Sequence, residues 1–118
     1  MKLTDIDCIP CRRGEPKLSD AEIDTLLPEV PAWEVVTEGG IPQLRRSYKF
    51  KNFARALDFT NMVGALAEEQ DHHPAILTEW GRVTLFWWTH VIGGLHQNDF
   101  ISAAKSDALY AGHTERSK

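Results

Sequence analysis

NFARALDFTNMVGALAEEQDHHPAILTEWGRVTLFWWTH, residues 52–90, changes its period half-way along. Up to Gln70 the apolar residues recur as on a helix. At about 100° per residue, Phe53, Ala56, Leu57, Phe59, Thr60, Val63, Gly64, Leu66 and Ala67 fall in one half-turn of the wheel, opposite Arg55, Asp58, Asn61 and Glu69. Asn52 stands where a side-chain oxygen caps the first turn. From Ala75 the run is β-like: AILTEW and RVTLFWWTH read as strands joined at Trp80-Gly81, with Gly81 supplying the positive φ of a tight turn. An amphipathic helix followed by a hairpin predicts a helix lying on a sheet.

Upstream, LSDAEIDTLLPEV reads as a short helix capped by Ser19, with acids in its first turn and Pro28 and Pro31 ending it. AWEVV and PQLRRSYKF follow as two strands either side of Gly39-Gly40. Downstream of Gly93-Gly94, a last helix is expected from about Asn98 to Tyr110, with Phe100, Ala103, Ala104, Tyr110 and the charged Asp107 on one side. The order αββαββα predicts an α+β fold, an antiparallel sheet with helices packed on one face. Residues 1–17, with Pro10, Gly14 and Pro16, read as an irregular N-terminal arm, residues 18–113 as the domain, and 114–118 as a flexible tail.

Length and composition limit the function. At 118 residues the chain makes one domain, with 42% hydrophobic and 25% charged residues, ordinary values for a soluble globular protein. A net charge of −4 gives no general attraction to phosphate backbones, which argues against nucleic acid as a partner. No apolar run reaches the roughly 18 residues of a membrane span, and the N-terminus lacks a signal-peptide core, so the expected location is the cytoplasm. Cys8 and Cys11 form a Cys-Ile-Pro-Cys run, read either as half of a metal or redox site or as two reduced thiols in the arm.

The chemistry gathers between the helix and the hairpin. Pairing Glu79 with Arg82 would set His73 opposite Trp88 and His72 opposite Thr89, with His90 a diagonal neighbour of His73 at roughly 7 Å. Pro74 interrupts that ladder and frees His72 to turn inward. Glu68 lies one helical turn before the pair. Glu68, His72, His73 and His90 can therefore converge. Imidazole titrates near pH 6.5 and both gives and takes protons, which suits expulsion of water from a substrate. Three imidazoles and an acid could instead hold a metal, although two histidines four apart on a helix are absent. Alternation sends Trp87 and Trp88 to opposite faces, so one belongs to the core. Trp80 at the turn suits either stacking on a flat heterocycle or capping the hairpin.

An acid, three residues, His-His-Pro, five residues, an aromatic, nine residues, a His, eight residues and an Asp run here as Glu68, His72-His73-Pro74, Trp80, His90 and Asp99. This pattern, with Gly93-Gly94-Leu95 and Ala103-Ala104-Lys105, resembles the pterin-4a-carbinolamine dehydratase family over residues 18–110. His96 departs from it, since members commonly carry a helix-capping Thr there. The resemblance implies a four-stranded antiparallel sheet and dehydration of 4a-hydroxytetrahydropterin to quinonoid dihydropterin, without metal or cofactor. It implies service to aromatic amino-acid hydroxylases through pterin recycling, and a homodimer or homotetramer. It assigns His72, His73 and His90 as catalytic, and His72 and His90 are the expected acid and base. Glu68, His73, Trp80 and Asp99 would contact the substrate. Relatives that act as dimerisation partners of a transcription factor keep a binding module open as the alternative, and a molybdenum-cofactor-related pterin is a further candidate substrate.

Overall fold

The helix and hairpin of residues 52–90 form as expected in a computed structural model, which describes residues 3–8 and 16–116. Cys11, the second thiol of the Cys-Ile-Pro-Cys run, lies outside the described residues, as does the end of the tail. The elements are α1 (Asp20–Leu26), β1 (Glu34–Glu38), β2 (Ile41–Lys49), α2 (Phe53–Gln70), β3 (Ala75–Glu79), β4 (Arg82–Trp87) and α3 (Gln97–Arg116). The order is αββαββα. One four-stranded sheet, β1-β2-β4-β3, is antiparallel throughout, so the molecule is α+β. Helices α2 and α3 lie against the strands and against each other.

Short-range chemistry sets most of these boundaries. Ser19 Oγ accepts the Glu22 amide at 3.2 Å while Glu22 Oε1 accepts the Ser19 amide at 3.0 Å, a capping box that starts α1. The Ser19 amide, and after it the Ser19 hydroxyl, hold the exposed Glu22 carboxyl below its ordinary range. Asn52 Oδ1 accepts the Arg55 amide at 2.9 Å and starts α2. Gly39 and Gly40, at φ 57° and 79°, make the two-residue turn of the β1–β2 hairpin, a conformation other residues resist.

Three features differ from the sequence reading. Gly81 does not have positive φ; it is small because the Phe50 carbonyl stands 3.1 Å from where a Cβ would be, and the Phe50 amide donates to Gly81 O at 2.9 Å. The β3–β4 ladder does pair Glu79 with Arg82, but it stops at Ala75 and Phe86. Its next position is Pro74, which has no amide hydrogen to donate. The chain after Trp87 then leaves the sheet, Thr89 bridges Gly94, and His90 opens a 3-10 turn (His90–Ile92). The expected pairings of His72 and His73 across the sheet do not form. Finally, α3 continues past Tyr110 to Arg116. Tyr110 and His113 pack on Phe50 and Phe59, and these contacts carry the helix beyond Gly112.

The core lies between the sheet and the two long helices. Ala56, Phe59, Val63 and Ala67 of α2 meet Leu44, Tyr48, Val83, Leu85 and Trp87 of the central strands and Phe100, Ile101 and Ala103 of α3. Each large side chain so buried contributes about 1.5–3 kcal/mol. The buried strip of α2 is narrower than the predicted half-turn: Phe53 and Leu57 remain exposed at its margin. Asp107 sits at this boundary and takes four hydrogen bonds. Trp33 Nε1 donates to both carboxylate oxygens at 3.0 and 3.1 Å, Arg46 Nη1 at 2.6 Å and the Tyr48 hydroxyl at 2.5 Å. A charged residue on the inward side of α3 is explained by those donors.

Candidate active site

The end of α2 sets the direction of the histidine pair. Asp71 adopts the left-handed conformation, φ 50° and ψ 43°, which Asp tolerates better than most residues. The His72 amide then closes onto Ala67 O at 3.1 Å. After this turn His72 is buried and His73 is exposed. The His72 ring stacks on the fully buried Trp87, with centroids 5.4 Å apart and planes at 18°.

Asp99 receives His72. It is wholly buried, and its Oδ1 lies 2.6 Å from His72 Nε2. Its Oδ2 accepts the Thr89 hydroxyl and the His96 amide, each at 2.9 Å. His96 Nδ1 accepts the Asn98 amide at 3.1 Å. His96 and Asp99 therefore cap α3 reciprocally, the His96 ring accepting from the second residue of the helix and Asp99, the third, accepting the His96 amide, with an imidazole in the place usually held by a hydroxyl. A carboxylate only accepts, so Nε2 of His72 donates in that bond, and in the neutral ring Nδ1 then holds the lone pair.

The other candidate residues have partners of their own. His73 Nε2 lies 2.7 Å from Glu68 Oε2, and both side chains are solvent-exposed. His90 is exposed, with its ring 4.3 Å from that of Trp88. It follows Thr89, whose hydroxyl shares Asp99 with His72. The structure thus joins His72 to Asp99, joins His73 to Glu68, and ties His90 to the first pair through its neighbour. Trp80 is not brought to this group. It is 70% exposed at the far end of β3, seven residues from His73 and roughly 20 Å away at about 3.3 Å per strand residue. Among the described residues no three His, Cys, Asp or Glu side chains stand together as a metal-binding group. Thr89, Trp87 and His96 were not among the sequence-predicted site residues. The His96-x-x-Asp99 spacing was the one local signal, hidden because His is an unusual cap.

A family profile described as "Pterin 4 alpha carbinolamine dehydratase" matches residues 16–109. The chain belongs to this family. A relative from Nitrosococcus oceani, provisionally named a pterin-4-alpha-carbinolamine dehydratase, is 57% identical over 91% of this chain and 95% of its own. Among solved structures, a transcriptional coactivator/pterin dehydratase from Brucella melitensis superposes with a TM-score of 0.72 at 29% identity, covering 80% of this chain and 99% of that one. A pterin dehydratase-like protein described as a RuBisCO assembly factor in the alpha-carboxysome gives 0.57 at 25% identity, covering 67% of this chain and 89% of that one. No helix among the described residues is long and apolar enough to cross a membrane.

Proposed function

We propose that the chain is a hydro-lyase that converts 4a-hydroxytetrahydropterin to quinonoid dihydropterin and water by histidine acid–base catalysis. The observation that carries this reading is the buried His72–Asp99 pair, which orients an imidazole and fixes its tautomer much as the carboxylate of a catalytic triad does. In the step we assign, His72 Nδ1 removes the proton from N5 of the pterin. The N–H electrons become the N5=C4a double bond, the C4a–O bond breaks, and the departing hydroxide takes a proton from the exposed His90. Water leaves, and the proton taken by His72 passes to solvent while solvent reprotonates His90, which restores both rings. The elimination is redox-neutral, so it calls for no electron-carrying cofactor. His73, held by Glu68, orients the pterin ring; Asp99 acts through His72; Trp80 is assigned no contact.

This reading places the chain in recycling of the pterin used by aromatic amino-acid hydroxylases, in the cytoplasm and as a homo-oligomer. The edge strand β3, with Leu77 half exposed, supports association through the sheet. Stopped-flow turnover of chemically generated 4a-hydroxytetrahydropterin tests the chemistry. A well-placed acid contributes about 10²–10⁴-fold, so His90→Ala should lower turnover at least about a hundredfold with an unchanged circular-dichroism spectrum. Near-normal turnover would refute the role, and loss of wild-type activity with chelator would point to a metal instead.

A second reading rests on the exposed Leu77 within β3 and Trp80 just after it, which suit a protein-docking module. A tight protein partner found together with no dehydration of the carbinolamine would favour it. Turnover of a molybdenum-cofactor-related pterin in preference to the carbinolamine would redirect the substrate assignment.

A further inference from the structure

The N-terminal residues 3–8 do not hang free of the domain. Leu3 is buried against the core, and Lys105 of α3 donates to Thr4 O at 3.2 Å and lies 3.8 Å from Asp7. The other end of the segment reaches both chain pieces that form the His72–Asp99 pair. On the α2 side, Gln70 Oε1 accepts the Cys8 amide at 2.8 Å and Gln70 Nε2 donates to Asp7 Oδ1 at 3.3 Å. Gln70 is two residues before His72. On the α3 side, Cys8 Sγ lies 3.7 Å from the Asn98 carbonyl and 3.5 Å from Ser102 Oγ. Asn98 immediately precedes Asp99, and Ser102 is one turn beyond it.

We propose that residues 3–8 are a strap that fixes the gap between the α2 terminus and the first turn of α3, and so positions His72 on Asp99. The inference rests on the catalytic reading above for its effect on turnover, but its geometry stands apart from that reading. A hydrogen bond of 2.6 Å between a ring and a carboxylate on two different segments survives only while those segments keep their spacing. Asp99 is held from its own side by Thr89 and His96. His72 has its backbone anchored to α2, and the arm ties that helix end to α3. Burial pushes the Cys8 thiol upward in pKa, with the Ser102 contact opposing, so at neutral pH it is an uncharged group packed between helices.

The strap's residues touch no substrate; Asp7, Cys8 and Gln70 are positioning residues. The test uses full-length protein and two variants. Gln70→Ala removes both bonds to the arm. It should lower kcat about tenfold while KM stays within about twofold, because misplacement of a supporting group acts on the reacting geometry. It should also broaden the proton resonance of His72 Nε2–H, observed by nitrogen-correlated NMR and assigned by its loss in His72→Gln. The double substitution Asp7→Asn with Gln70→Glu reverses donor and acceptor in one bond and retains an oxygen for the Cys8 amide. It should recover both the resonance and most of kcat. An unchanged resonance in Gln70→Ala, or a double variant no better than the single one, would overturn the strap. Should Gln70→Ala fail to fold, Gln70→Glu alone, which sets a second carboxylate against Asp7, should broaden the resonance and the double variant should restore it; an unchanged resonance in Gln70→Glu would overturn the strap. The NMR arm reads out even if the wild-type protein dehydrates no pterin, so failure of the strap and failure of the catalytic reading give different results.

Discussion

Asp99 illustrates how one buried carboxylate can serve two structures. Its Oδ1 faces His72 and its Oδ2 takes the Thr89 hydroxyl and the His96 amide. Asp99→Asn would present an amide group in place of one acceptor. Whichever way the amide points, either Nε2–H of His72 or the Thr89 and His96 donors face a donor. Replacing the carboxylate that orients a triad imidazole by its amide costs about 10⁴-fold, so turnover should fall by at least about a hundredfold while the spectrum of the fold persists. A variant retaining full turnover would remove Asp99 from the catalytic apparatus. The inward direction of His72 could not be read from residues 72–73 themselves. It depends on Asp71 entering the left-handed region and on Trp87 offering a flat surface from another strand.

Among the elements, helix starts were the most legible because a cap and its target lie within four residues of each other. Ser19 and Asn52 cap as the sequence indicates. The register of β3 on β4 was legible for a similar reason, since the tight turn at Trp80-Gly81 leaves little choice of partners. Strand ends were harder. The end of β4 is decided by Pro74, just before β3, whose break in the ladder was legible, and by the Thr89–Gly94 bridge, which was not visible in RVTLFWWTH. The start of α3, expected at about Asn98, falls at Gln97 with a histidine as its cap. His96→Ala should cost about 1 kcal/mol in urea unfolding, the usual loss for a cap, whereas His96→Thr should stay within about 0.5 kcal/mol of the parent. Equal stability of the parent and His96→Ala would show that Nδ1 does not cap.

At the level of the whole molecule, Asp107 ties together the segment before β1, strand β2 and helix α3 through Trp33, Arg46 and Tyr48. Its partners lie 59 to 74 residues away in the chain, which is why no local pattern explained it. Asp107→Ala leaves three donors without their acceptor and should cost about 3 kcal/mol by chemical denaturation. The same cluster gives an alkaline limit to stability. Burial, then the Asp107 carboxylate, push the Tyr48 phenol well above its usual 10. The unfolded chain therefore releases that proton first. The stabilisation is fully present below about pH 10 and declines as pH rises beyond it. Urea titrations between pH 8 and 11 should show this fall, and Tyr48→Phe should flatten it; an identical slope in the variant would assign the alkaline loss elsewhere.

The double duty of Asp99 has a consequence for heating. The first turn of α3 and the orientation of the His72 ring depend on the same two oxygens, so fraying of that turn disables the imidazole at once. Helix ends open with far less free energy than central strands. Warming should therefore inactivate the protein at a temperature where the β2–β4 centre is still intact, and cooling should restore it without any refolding of the sheet.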